Sequence, residues 1–494
     1  MKIFGLNTVY QRDGKNALLL ILTKLALVLM FGSFCLAVYS PVINIIALGG
    51  IAAIFLTLLA NEDYFAFLVI LFFSNHYIFG NDKGGLFNLA AVLALAGYNW
   101  IWKRATLFSG KSTFGKTTTF LVIIIIYCQL IGLLNNSKAT DVSKITTIGI
   151  FIGLIVLLFQ LSKIKIRDID LIRFVEVLFV FTAFNLFISF NQKYNFMPIQ
   201  LALIPTWEVG AEFQYEIFRC TGTFFNFEAY AEYSLSMIIL LLPGILSGSI
   251  KKISNRFYSI CTSIILMSIF AIVLSVTRSS FFLLPLAVFF ILIFQGSRIK
   301  ASSIMPFLAV IAIGIFLNTI VPIIDFNTFI ERSKEMQISH LSDITSGTEI
   351  NRGEIFDFAF KKIARTKGIT GEGYFTNQPD YSTVHFDIPH PIIGDYHNLY
   401  LGMVVFWGYV GAISFTLIFL FTIFRGITTY KKYQNKTPSF KIDLLLGFSI
   451  LFIFFLINQY KIIFLRESNY AVIIFILLII FSSVINEVRQ EAVK

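Results

Sequence analysis

Apolar residues fill this chain in long runs, and polar residues gather in the gaps between them. A helix needs about 20 consecutive apolar residues to cross a hydrocarbon core. Runs of that kind begin near positions 17, 41, 64, 85, 117, 144, 170, 228, 257, 280, 302, 398, 442 and 468, about 14 in all. The third and fourth are short, and Pro285 breaks the tenth. The pattern predicts an all-α polytopic membrane protein with about 12–14 transmembrane helices. The first run follows Lys2, Arg12 and Lys15. It resembles a signal anchor, but it is too long for a signal h-region and no small-residue cleavage site ends it, so it reads as a retained span.

The gaps supply an orientation. With the N-terminus placed inside, alternate gaps hold Lys103, Arg104, Lys111 and Lys116; Lys163, Lys165 and Arg167; Lys251, Lys252 and Arg256; Arg298 and Lys300; and Arg425, Lys431, Lys432, Lys436 and Lys441. The short outer gaps hold Lys83, Lys138 and Lys193. Basic residues in short loops mark the cytoplasmic side, so both termini are expected there. Composition agrees. The 494 residues are 57% hydrophobic and only 14% charged, with a mean hydropathy of +0.79, which leaves too few polar residues to clothe a water-exposed surface. The net charge of +11 follows from the inner-face bias and calls for no nucleic-acid partner. Cys35, Cys128, Cys220 and Cys261 have neither zinc-site spacing nor a disulfide framework, and they read as packing residues. The stretch "FSGKSTFGK" lacks the upstream glycine and the strand of a phosphate loop.

Two outer gaps are long, at about 190–227 and 324–396. In the second, Ile355, Phe358, Ala359 and Ile363 recur at helical spacing beside Lys361, Lys362 and Arg365. This predicts an amphipathic helix lying on the membrane or over a cavity, and "GITGEGYF" (368–375) then supplies tight turns. Charges near a membrane are costly and usually have a task. Arg219, Arg278, Arg352 and Arg466 all fall on the outer face, and Arg278 sits between two spans with almost no loop. A guanidinium fork suits bidentate phosphate contacts, whereas single interfacial arginines also snorkel to lipid phosphates. His340, His385, His390 and His397 lie in or at the end of the second outer gap, without the spacing of a compact metal site. His397 stands at the outer start of a span, where Asp395 or Asn398 can serve the helix N-terminus. The positive end of the helix dipole disfavours an imidazolium there, and a neutral histidine can accept a proton. Gly408 lies about three helical turns beyond His397 and Gly411 three residues further. Both are therefore expected to project near the histidine's face and to let another helix approach closely.

His397, Asn398, nine residues, Gly408, two residues, Gly411 resembles the signature of the O-antigen ligase and O-antigen polymerase superfamily. "FRCTGTFFNFEAYAEYSL" (218–235) is similar to the family's Arg-x-x-Gly-Thr-Phe-x-Asn segment, with Arg219 as its arginine. "VTRSSFFLL" resembles the Ser-Arg segment, with Arg278 in place, Thr277 instead of the usual serine and Phe282 where ligases often have leucine. "NRGEIFDFAFKKIARTKGITGEGYF" (351–375) resembles the segment before the histidine, with Arg352 as its arginine and Gly371 and Gly373 as its closing glycines.

The resemblance implies a membrane-embedded, GT-C-like glycosyltransferase of the bacterial inner membrane that works without a metal or other cofactor on the periplasmic side. Its donor would be a sugar chain on undecaprenyl diphosphate. Its acceptor would be a hydroxyl of a second lipid-linked repeat for a polymerase, or of the lipid A-core for a ligase; a protein O-oligosaccharyltransferase is a related outcome. Membrane lipids and, for a polymerase, a chain-length regulator protein are the partners implied. Arg219, Arg278 and Arg352 would hold the diphosphate, His397 would act on the acceptor hydroxyl, and Asn398 and Arg466 would contact substrate. The departures around Arg278 favour a polymerase, while the complete histidine motif favours a ligase. A flippase for lipid-linked sugars would show inverted repeats and mid-membrane charges, and neither is visible. The expected organisation is N-terminal spans and first outer loop at 1–217, a catalytic region at 218–415 containing the loop 324–396, and C-terminal spans at 416–494.

Overall fold

The computed structural model describes residues 41–60, 116–135, 166–194, 219–224, 227–300, 352–365, 368–369, 371–373, 398–435, 439–460 and 468–491, with scattered positions elsewhere between 21 and 312. In chain order the helices are α1 Pro41–Ala60, α2 Lys116–Asn135, α3 Asp168–Tyr194, α4 Phe227–Leu246, α5 Ser249–Ile253, α6 Asn255–Leu274, α7 Arg278–Gln295, α8 Arg352–Arg365, α9 Leu399–Tyr433, α10 Phe440–Asn458 and α11 Ser468–Glu491. Among the described residues there is no strand, and 8 helices are long and apolar enough to cross a membrane. These are the runs expected near 117, 170, 228, 257, 280, 398, 442 and 468, and α1 is the run expected near 41. The runs expected near 17, 64, 85, 144 and 302 fall largely outside the described residues. The chain is an all-α, multi-pass membrane protein.

The expectation that Pro285 interrupts its run is not met, because α7 continues through it. The ring removes one backbone N–H, but in a membrane helix local adjustments and neighbouring groups accommodate the freed carbonyl. Pro243 likewise lies inside α4. Its own carbonyl accepts Nε2 of the buried Gln295 at 2.6 Å, which ties α4 to the end of α7.

α4 is buried on every side and largely apolar, interrupted by Glu228, Glu232, Ser234 and Ser236, the pattern of a helix enclosed by others. It packs on α6, α7 and α10 and is buried along nearly all its length. α9 packs on α2, α10 and α11, and α6 on α3. Phe419, Phe448, Phe452 and Phe481 interleave between α9, α10 and α11, with ring centroids 5.5–5.7 Å apart. Hydroxyls inside the spans, among them Ser189, Ser234, Thr422 and Ser449, donate to the carbonyl four residues back. Their polarity is thereby met within their own helix.

The bundle has two unlike ends. The basic end gathers the starts of α2, α3, α6 and α10 and the finishes of α4, α7, α9 and α11. There Arg298 pairs with the fully buried Asp443 at 2.9 Å, and Lys441 pairs with Glu491 at 2.6 Å and Asp168 at 3.1 Å. Ser247 donates to Asp443 at 2.5 Å. The opposite end carries the loop at 219–224, the α6–α7 link and the start of α9.

Candidate active site

The loop 219–224 is held by polar side chains of a helix that is otherwise mostly apolar. Near the end of α3, the Gln192 Oε1 accepts the backbone N–H groups of Thr221 and Gly222, both at 3.0 Å. Its Nε2 donates to the Gly222 carbonyl at 3.0 Å and to Thr221 Oγ1 at 3.1 Å. Two turns earlier, Asn185 Oδ1 accepts both the N–H and the hydroxyl of Thr223 at 2.8 Å. Buried backbone groups left unpaired would cost about 1–3 kcal/mol each, and these two amides replace the water that the loop forgoes. Arg219 opens the loop, and its guanidinium lies 4.3 Å from the centre of the Phe227 ring. That cation–π contact seats the arginine at the start of α4.

The α6–α7 link is the short one expected, running from Ser275 to Thr277. The Cys220 N–H donates to the Leu274 carbonyl at 3.1 Å, and the Thr277 hydroxyl reaches the Phe227 carbonyl at 3.4 Å. The Arg219 loop and the segment leading into Arg278 are therefore in direct contact. Val276 adopts φ 49°, a left-handed conformation that costs a β-branched residue about 1–2 kcal/mol. The tight link imposes it, and α7 then starts at Arg278.

The start of α9 is docked on the finish of α10. Asn398, expected to touch substrate, is the helix cap: its side chain accepts the Leu401 N–H at 3.0 Å. The Leu399 N–H donates to the Gln459 carbonyl at 2.9 Å, and the Tyr400 hydroxyl donates to the Leu456 carbonyl at 2.7 Å. Asn458 and Gln459 in turn donate their side-chain amides to Oε1 of Glu232, each at 3.0 Å. Glu232 lies in α4 and is 3% exposed. His397 and Arg466 lie outside the described residues, but the chain next to His397 is anchored by these bonds.

Gly408 does not continue the face of His397. It sits at φ 68°, ψ 179° and breaks α9, in a region open almost only to glycine. The three-turn spacing predicted for a continuous helix is therefore not the role of the motif. The break frees the carbonyls of Val405 and Phe406, which accept the N–H groups of Glu372 at 2.8 Å and Gly373 at 2.9 Å. The Tyr409 N–H turns to the Gly368 carbonyl at 2.8 Å. Residues 371–373 thus lie between α9 and α2. At Gly371 a β-carbon would stand 2.0 Å from the Phe406 carbonyl oxygen, so only glycine fits. Gly411 does meet the expected close approach, with its β-position 3.2 Å from Cβ of Cys128 in α2. Trp407, fully buried, donates to Gln129 of α2 at 2.6 Å.

The amphipathic helix forms as α8, beginning at Arg352. Ala359 and Ile363 are buried while Phe360 and Lys361 are exposed, and the helix packs on α9. Lys362 pairs with Glu372 at 2.8 Å, joining α8 to residues 371–373.

Three of the four sequence segments singled out for Arg219, Arg278 and His397–Asn398 therefore meet at one end of the bundle or adjoin the contacts there. α8, which begins at Arg352, is joined to α9 through Glu372 and the break at Gly408. The amides that make these connections, Gln129, Asn185, Gln192, Asn458 and Gln459, together with Glu232, had not been singled out. The signal was present: each is a polar residue in or at the edge of an apolar run, where polarity needs a partner. Residues 263–416 match the family model described as O-antigen ligase. The match takes in Arg278, Arg352 and the His397–Asn398 pair and bears out the resemblance to the O-antigen ligase and polymerase superfamily. No curated protein matches the chain.

Proposed function

We propose, from this O-antigen ligase segment and the motif-bearing end of the bundle, that the chain is a polysaccharide polymerase. It transfers a sugar chain from undecaprenyl diphosphate to a hydroxyl of a second lipid-linked repeat. The observation that carries the reading is the convergence of distant segments. The loop of Arg219 bonds to the turn before Arg278, and the start of α9 is tied through Gln459 and Glu232 to the helix that follows Arg219.

In the reaction the acceptor oxygen attacks the anomeric carbon, and the bond from that carbon to the diphosphate oxygen breaks. The electron pair leaves on undecaprenyl diphosphate, where Arg219, Arg278 and Arg352 stabilise the developing charge. His397 takes the proton of the acceptor hydroxyl. Asn398 serves by capping the helix that carries the histidine, and Arg466 binds substrate at the same face. α8 covers the site and limits hydrolysis of the donor. The basic end of the bundle, read by the positive-inside rule, supports a cytoplasmic face there and a site on the periplasmic side of the inner membrane.

The test is purified protein in nanodiscs with lipid-linked donor and acceptor. His397→Ala is expected to abolish product while donor binding persists; undiminished polymer formation would overturn the role of His397. Products that lengthen on undecaprenyl diphosphate support a polymerase. Transfer only to lipid A-core supports the ligase reading, which the family description favours.

A further inference from the structure

We infer that Glu232 is a positioning residue for this reaction, acting through Gln459 on the first turn of α9. The inference rests on the reading of His397 as the group that engages the acceptor hydroxyl.

A buried carboxylate is an expensive hydrogen-bond acceptor. Elsewhere α4 and α10 pack closely without charge, with Gly447 against the Leu240 backbone and Gly244 against the Phe440 ring, and such contact would serve here as well if adhesion were the only need. What a carboxylate adds is direction. Its Oε1 takes the amides of two consecutive residues, Asn458 and Gln459, and so sets the rotation of the turn that ends α10. The carbonyl of that same turn, at Gln459, accepts the Leu399 N–H. The first N–H groups of a helix have no partner within it, so the Gln459 carbonyl supplies one and fixes where α9 begins. His397 is two residues upstream, and each residue spans about 3.8 Å at most, so a shift of the turn passes to the histidine with little slack.

The other end of the connection matters equally. Glu232 is five residues into α4, about 7.5 Å along the axis from Phe227. That residue holds the Arg219 guanidinium on its ring and the Thr277 hydroxyl on its carbonyl. The carboxylate thus places the arginine-bearing segments and the histidine-bearing helix in one frame. Misplacing a reacting group by 1 Å can cost about 100-fold in rate.

The experiment uses the full chain in nanodiscs with lipid-linked donor and acceptor, thermal unfolding to confirm the folded fraction, and His397→Ala as control. Glu232→Ala and Gln459→Leu are each expected to lower kcat about 10- to 100-fold with the donor KM within about twofold. Glu232→Gln keeps an acceptor oxygen and should restore kcat to within about threefold of the parent. The double variant should be no worse than the poorer single one, since both remove one connection. An unchanged kcat in folded Glu232→Ala, additive losses, or a Glu232→Gln as inactive as Glu232→Ala would each overturn the inference. Should Glu232→Ala not fold, Gln459→Leu and Glu232→Gln carry the same decision. An inactive His397→Ala beside a fully active Glu232→Ala removes this inference alone. A fully active His397→Ala removes the role of His397 and this inference with it, whereas a parent chain that forms no product from donor and acceptor removes the functional reading itself.

Discussion

Asp443 and Glu232 are both buried carboxylates on adjacent, nearly enclosed helices, at opposite ends of the bundle. They are satisfied by different chemistry. Asp443 meets the guanidinium of Arg298 and a serine hydroxyl, whereas Oε1 of Glu232 receives two neutral amides. The same contrast runs across each end. At the basic end Lys441 bridges two acidic side chains. At the motif end, among the described residues, the spans are joined by amides, hydroxyls, main-chain groups and the Glu232 carboxylate, and Arg219 rests on an aromatic face. An ion pair consumes the charge of both members. An amide or an aromatic ring holds a chain in place and leaves a guanidinium's N–H fork to meet an anion. The basic end is built to stay shut and the motif end to hold its shape, which under the proposed function would leave Arg219 able to meet a substrate anion.

This contrast can be broken by experiment. Asp443→Ala would leave Arg298 buried without its carboxylate, a loss of about 3–5 kcal/mol. Thermal unfolding in detergent should show it, with transfer per folded molecule unchanged; a variant as stable as the parent would deny the basic end its role as a staple. Gly408→Ala should cost about 1–3 kcal/mol, because of its backbone conformation and because the new carbon would lie 2.3 Å from the Ile369 carbonyl oxygen. Its sharper signature is local: amide exchange at Glu372 and Gly373 should accelerate and transfer should fall, while the basic end keeps its protection. The smallest effect is expected at the partly buried Lys362–Glu372 pair. Lys362→Met should cost about 1 kcal/mol or less and speed proteolysis between 352 and 373, and exchanging the two charges should restore protection.

Much of the architecture was legible because lipid imposes a simple rule. Backbone polar groups in the membrane must be satisfied inside the protein, which a helix does almost wholly within itself, so run length alone predicts α2–α4, α6, α7 and α9–α11. Pro285 was misread because a local rule about proline was applied where neighbouring helices offer compensation. The glycine motif was misread for a related reason. Its residues were visible, but spacing along one helix cannot show that the helix breaks at Gly408 to receive a segment 35–40 residues upstream. The supporting amides were passed over because Asn and Gln carry no charge, although burial in a span makes their polarity nearly as demanding.

By itself the sequence determined the fold class, the membrane-crossing helices, the basic bias between the two ends and the identity of the motif residues. Each of these depends on composition within a window no longer than one helix. Tertiary structure alone decided that Gln192 and Asn185 mould the Arg219 loop, that the carbonyls exposed at Gly408 are met by residues 372 and 373, and that Glu232 joins two distant segments. Such bonds lie between residues tens to hundreds of positions apart. A buried polar group requires some partner, but only the packing of the helices determines which one.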